Sequence, residues 1–177
     1  MVFLFEENIF CNFQLKKIKM KELLQSYASY NYWAHQSITD VILNMNENLH
    51  QQIVRSSFPN LYATVLHIWD SESAWWQRMN GHEQLVIPSK QFNPSMKEVV
   101  NGLLHQSEQW ETWAKQCSEE ELKKTLEYKN LKGLSFRSTI WQVAHHVFNH
   151  GTYHRGQLVT MMRELGETEI PATDFIQ

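Results

Sequence analysis

Cysteine, proline and glycine are all scarce in this chain of 177 residues. The two cysteines, Cys11 and Cys117, form no CxxC or other metal-ligand spacing. They cannot be read as a disulfide framework, which points to a reducing compartment. Six glycines and four prolines leave long stretches without either breaker. Basic residues are not gathered: no Lys/Arg cluster exceeds the LKKIKMK run at 15–21, and the net charge is −3. A protein living on nucleic acid normally shows a basic face, so no nucleic-acid partner is expected. No apolar run approaches the roughly 20 residues of a spanning helix, so no membrane partner is expected either. The N-terminal MVFLFEENIFCNF is apolar, but Glu6 and Glu7 interrupt it. Without a basic start or a small-residue cleavage site it does not read as a signal peptide, and the expected location is cytoplasmic. HExxH, P-loop, GxGxxG and GxSxG motifs are all missing. The single Glu-x-x-His pair, Glu47 to His50, falls short of a di-iron bundle, which needs two such pairs and two further carboxylates.

What is present is an ordinary globular composition, 42% hydrophobic and 20% charged. The 12% aromatic share, with seven Trp, excludes a disordered chain. The length suits one domain with a substantial core. Residues 20–47 carry Leu23, Leu24, Tyr27, Tyr30, Ile38, Val41, Ile42 and Met45 at helical intervals. A turn and cap region follows at Ser56, Ser57, Pro59 and Asn60. The second helix spans about 60–80, with Leu61, Val65, Ile68, Trp69, Trp75 and Met79, and ends at Gly81. GHEQLVIPSKQFNPS reads as an irregular crossover, and Pro94 and Ser95 open a third helix to about 117. KTLEYKNLKGLS, 124–135, suits a short hairpin or extended connector. Ser138 and Gln142 frame a fourth helix from about 137 to 165, stopped by Gly166. The fold class is therefore all-α, a single four-helix bundle with long crossover connections and a short hairpin before the last helix.

The fourth helix contains HVFNHGTYHRGQ, with His146, His150 and His154 spaced four apart. Written as heptads from Ile140, its core positions read Ile140, Val143, Val147, His150, His154, Gln157 and Met161. His150 and His154 thus fall on the stripe expected to be buried. Two successive unpaired imidazoles are costly in an apolar core and call for a partner. They lie about 40° apart around the axis and roughly 6 Å along it, so both can converge on one ion. His146 is about 12 Å from His154 along the axis and cannot join both on one metal. It could pair with His150 instead, although it falls beside the core stripe, and His145 lies further round. A third ligand is required, and LYATVLHIWDSESAWW offers His67, with the small Ala63, Ser71 and Ala74 nearby. The alternative for His67 is a satisfied buried histidine bonded to Asp70 or Glu72. His35, His50, His82 and His105 show no partner spacing and are expected at the surface or its boundary. Gly156, a mid-helix glycine directly after His154 and Arg155, is expected to mark close approach by a neighbouring element.

From Met20 onward the chain resembles the DinB-like family of damage-inducible (YfiT-like) metal-binding bundles. The matching pieces are YNYWAHQSI, LHIWDSESAWWQRMNG, HHVFNHGTYHRGQLVTMMRELG and the closing PATDFI. The resemblance implies a four-helix bundle over 20–177 and one divalent metal ion held by His67, His150 and His154. Residues 1–19 precede the family's usual start and stand as an N-terminal extension. Relatives include thiol-dependent S-transferases and isomerases; the family name reflects induction by DNA damage and implies no DNA binding. A three-histidine site leaves coordination positions for water or substrate. A bound ion lowers the pKa of a coordinated thiol or water, which gives S-transfer or hydrolysis. The leading expectation is therefore a metal-dependent transferase acting with a small-molecule thiol. A metal-dependent hydrolase and a non-catalytic metal-binding bundle are its rivals. Zinc or nickel leads among the metals, with manganese, iron and copper as alternatives. A homodimer is among the expectations.

Overall fold

The breaker-free stretch after Lys19 becomes the first helix, α1 (Met20–Asn44). The computed structural model describes residues 19–130 and 133–176. The expected extension over 1–19, Lys19 apart, lies outside the described residues. The second helix, α2 (Leu61–Met79), is capped by the Asn60 side chain, which accepts from the Ala63 amide at 2.8 Å. A one-turn helix, α3 (Pro88–Gln91), sits within the expected crossover. Then comes α4 (Met96–Gln116), opened by a Ser95/Glu98 capping box, and a short α5 (Glu119–Lys123). Strands β1 (Thr125–Lys129) and β2 (Ser135–Thr139) pair antiparallel, Thr125 opposite Thr139 and Lys129 opposite Ser135.

The last helix, α6 (Ile140–Glu164), starts where β2 ends. Its N-cap is Thr139 rather than the expected Ser138: Gln142 Oε1 accepts from both the Thr139 amide and hydroxyl at 2.9 Å. Its end is the expected one. Gly166, at φ +94°, lets the Glu167 amide donate to the Met162 carbonyl and its own amide to that of Arg163. That pairing is a Schellman stop, and a side chain at Gly166 would strain it. The first helix stops earlier than the periodicity predicts. His50 accounts for part of the difference: it is 6% exposed, and its Nε2–H donates to the Ile42 carbonyl at 2.8 Å, turning the chain back over the end of α1. The expected boundary position of His50 is thereby corrected.

The all-α architecture is as expected, with α1, α2, α4 and α6 as the long helices. Among the described residues no helix is long and apolar enough to cross a membrane. The apolar core comes in two parts. One packs Ile38 and Ile42 of α1 with Leu61, Val65 and Ile68 of α2, Leu103 of α4, and Leu158 and Met162 of α6. The other packs Leu24 and Ala28 with Trp110, Ala114, Val147 and Phe148. Between them lies a buried polar layer to which all four long helices contribute: Asn31 and His35, Glu72, Ser107, and Arg155. Glu72 is its hub. Its Oε1 accepts from Asn31 Nδ2 at 2.8 Å and His35 Nε2 at 3.0 Å, and its Oε2 from Ser107 Oγ at 2.7 Å. Arg155 Nη1 donates to Asn31 Oδ1 at 2.8 Å, and Nη2 to Thr152 Oγ1 at 2.9 Å. His35 is thus a buried member of this layer at 1% exposure, not a boundary residue.

The layer also widens the stripe expected for α6. Val143, Val147, His154 and Met161 of that stripe are buried, and so are Ala144, Phe148, Gly151, Arg155, Leu158 and Met162 beside it, while Ile140, Gln157 and His150 are half-buried at its edge. Gly151, not Gly156, is the close-approach glycine. A Cβ on Gly151 would stand 2.6 Å from Asn31 Oδ1 and 3.1 Å from His35 Nε2, whereas nothing lies within 4 Å of one on Gly156.

Candidate metal centre

The edge position of His150 matters, because it faces α2 across a groove. His67, in the second turn of α2, comes in from the other side. Its Nε2 is 3.1 Å from His150 Nε2, which is in turn 3.1 Å from His154 Nε2. All three ligand atoms fall within 4.8 Å of one another, and they form the one such group of His, Cys, Asp or Glu among the described residues. Two nitrogens bound tetrahedrally to zinc at 2.0–2.1 Å are about 3.3 Å apart. The three imidazoles therefore match a divalent ion in spacing and in donor chemistry.

Second contacts fix the rings. His154 Nδ1 is 2.7 Å from Gln157 Oε1, so that nitrogen carries the proton and Nε2 keeps its lone pair for the centre. Gln157 is itself held, its Nε2 donating to Ser57 Oγ at 2.9 Å. The Phe58 ring lies against His67, centroids 4.4 Å apart, and reaches His154 at 5.6 Å. His150 Nδ1 is buried and without a hydrogen-bond partner. Spacing arguments miss Phe58 and the role of Gln157. The signal for Gln157 was its place three residues after His154, one turn away on the same face.

Electrostatics favour neutral ligands. Burial, reinforced by the neighbouring His154 and His67, pushes the His150 pKa down to about 3. His67 is lowered by burial and then by His154, with Asp70 opposing. Burial lowers His154 as well, against its hydrogen bond to Gln157. Neutral imidazoles present lone pairs, which is what a cation needs.

The other expected candidates fall elsewhere. His146 is exposed, its ring 6.1 Å from that of His150 and 5.4 Å from that of Trp75. The alternative partners for His67 are engaged otherwise: Asp70 accepts from the Ser89 amide at 2.9 Å, and Glu72 serves the polar layer. Cys117 is buried in the second core, its thiol donating to the Ala114 carbonyl at 3.3 Å. Cys11 lies outside the described residues.

The DinB family model matches residues 19–176. The chain is also similar to the protein DinB of Bacillus subtilis (strain 168), 28% identical over 165 residues that cover 88% of this chain and 93% of the relative.

Proposed function

Because the chain belongs to the DinB family, we propose that it holds one divalent metal ion with His67, His150 and His154 and transfers a small-molecule thiol to an electrophilic substrate. In that reaction the sulfur–carbon bond forms as the leaving group departs with its electron pair, and the thiol proton passes to solvent. The observation that carries the reading is the number of ligands. Three neutral imidazoles converge, and among the described residues no fourth His, Cys, Asp or Glu joins them. A structural zinc site is normally closed by four protein ligands, whereas an open position suits catalysis. When bound, the ion supplies Lewis acidity that lowers the pKa of a coordinated thiol or water. Three imidazoles suit zinc or nickel, with manganese, iron and copper as alternatives.

The chain's own residues do the rest. Gln157 holds the His154 ring in one tautomer. Phe58 covers one side of His67 and excludes water there. No protein nucleophile is assigned, since Cys117 is buried away from the centre. The test is metal analysis of the purified full chain, followed by a transfer screen with several low-molecular-weight thiols. One ion per chain is expected, lost in His67→Ala, with turnover abolished in the same variant and kept in Cys11→Ser and Cys117→Ser. Metal retention without transfer across the panel overturns the thiol reading. Ester and amide hydrolysis is then measured, and failure of both leaves a non-catalytic metal site.

A further inference from the structure

Arg78 stands in the last turn of α2, eleven residues beyond His67 and about 16 Å along the axis from it. Its guanidinium lies over the Trp75 ring at 4.7 Å and beside the Tyr128 ring at 5.9 Å. The ion pairs of the described residues join other groups, so no carboxylate among them neutralises Arg78. No hydrogen bond from its guanidinium is found among them either. A cation in a last turn suits the helix dipole. The dipole does not account for five N–H donors held beside two rings at the wall of a cleft.

That cleft, of about 840 Å³, lies between the end of α2 and the β1–β2 hairpin. Arg78, Lys129 and Arg137 line it, against Glu83 and Glu127. Glu127 is drawn to Arg137 at 3.5 Å, which leaves Arg78 and Lys129 as the cleft's cations without an ion pair among the described residues, with Glu83 as its other carboxylate. Its floor is aromatic: Tyr128 and Phe136 stack at 5.9 Å and 22°, and Phe136 is 46% exposed. A fork of free donors above an apolar floor recognises an oxyanion carried on an apolar body.

The cleft and the metal centre stand toward opposite ends of one face of α2. Ring contacts run from His150 to His146 at 6.1 Å, to Trp75 at 5.4 Å and to Tyr128 at 4.9 Å. On α2, His67, Ser71, Trp75 and Arg78 follow one another at helical spacing on a single face.

We propose that this cleft is a subsite for an organic oxyanion, a carboxylate or a phosphate ester on an apolar body, with Arg78 as the recognising group. The ligand's other end points along this face of α2 toward the histidines. This last clause rests on the function proposed above; the subsite does not.

The experiment titrates the full chain with 4-phenylbutyrate, with 4-phenylbutyl phosphate and with the neutral 4-phenylbutyramide, following Trp fluorescence and calorimetric heat. Saturable binding of an anion, at least about tenfold tighter than the amide, is expected, since a charge-assisted hydrogen bond to a desolvated anion is worth that much. The tighter of the two anions identifies the source. Arg78→Gln abolishes the preference and Arg78→Lys recovers part of it, while both keep wild-type metal content. Equal binding of the amide, no saturable binding of either anion, or an unchanged preference in Arg78→Gln overturns the subsite. Repeating the titration with His67→Ala separates the two readings: the anion preference persists there whether or not the wild type holds metal.

Discussion

Gln157 Oε1 lies 2.7 Å from His154 Nδ1, one turn along the same helix. A carboxamide oxygen only accepts, so the imidazole nitrogen facing it must donate. The other nitrogen is thereby left as a ligand aimed at His150 and His67. Gln157→Leu removes this control of the tautomer without touching a ligand. Metal affinity, read by chelator competition, should fall roughly 10- to 100-fold, while Gln157→Glu should retain it. An unchanged affinity in the leucine variant would show that the ring is oriented by packing alone.

The two mid-helix glycines of α6 give opposite expectations. Gly151→Ala drives a methyl group into Asn31 Oδ1 at 2.6 Å, with Arg155 Nη1 and His35 Nε2 each at 3.1 Å. These partners are buried and hydrogen-bonded, so they cannot easily give way. A loss of about 1–3 kcal/mol in urea unfolding is expected, the usual range for overpacking. Gly156→Ala meets open space and should gain up to about 1 kcal/mol from helix propensity. A stabilised Gly151→Ala would mean the layer repacks.

That contrast marks where the sequence is legible. The convergence of His150 and His154 follows from their spacing, and the helix ends at Asn60, Ser95 and Gly166 follow from cap chemistry. The polar layer does not. His35 reads as a surface or boundary residue and Glu72 as no more than an alternative partner for His67, because polar and charged side chains are rarely buried unless paired. The layer's partners sit on different helices, 35 to 124 positions apart. No local window holds both halves of such a pair. The heptad drawn through His150 therefore captures only one side of the buried band, whose other side passes through Gly151 and Arg155. His67 had the same difficulty, its neighbours in the centre lying on another helix.

The layer has an energetic consequence. Glu72 and Arg155 are 1% and 2% exposed, and Asn31 bridges them. Removing one charge leaves the other buried and uncompensated, at a cost of about 3–5 kcal/mol. Glu72→Gln should therefore lower the urea midpoint severely. Replacing Glu72 and Arg155 together by leucine and methionine should cost less than Glu72→Gln alone. A double variant worse than the single one would show that the layer's hydrogen bonds outweigh its charges.

His35 gives the layer a pH dependence. Burial is the main reason its pKa is lowered below 6.5, and the Arg155 charge adds to it; the hydrogen bond and charge of Glu72 oppose both. The imidazole is therefore neutral in the fold, donating from Nε2 to Glu72, with Nδ1 facing Arg155 Nη1 at 3.5 Å. Unfolding returns it to the ordinary value of about 6.5. Between the lowered pKa and 6.5 the unfolded chain binds the extra proton, so stability rises with pH across that window. The contribution is complete above about 6.5 and is lost as pH falls toward the folded value. His35→Gln keeps a donor for Glu72 and removes the titration. Urea unfolding of both proteins at pH 7.5, 6.5 and 5.5 should show a steeper loss on acidification for the wild type. The metal-centre histidines are present in both proteins and largely cancel in the difference, His35 being the weakest of the causes that lower His150. A shallower loss for the wild type would mean that His35 is protonated in the fold and that its contact with Glu72 is an ion pair; parallel curves would mean that its pKa does not change on folding.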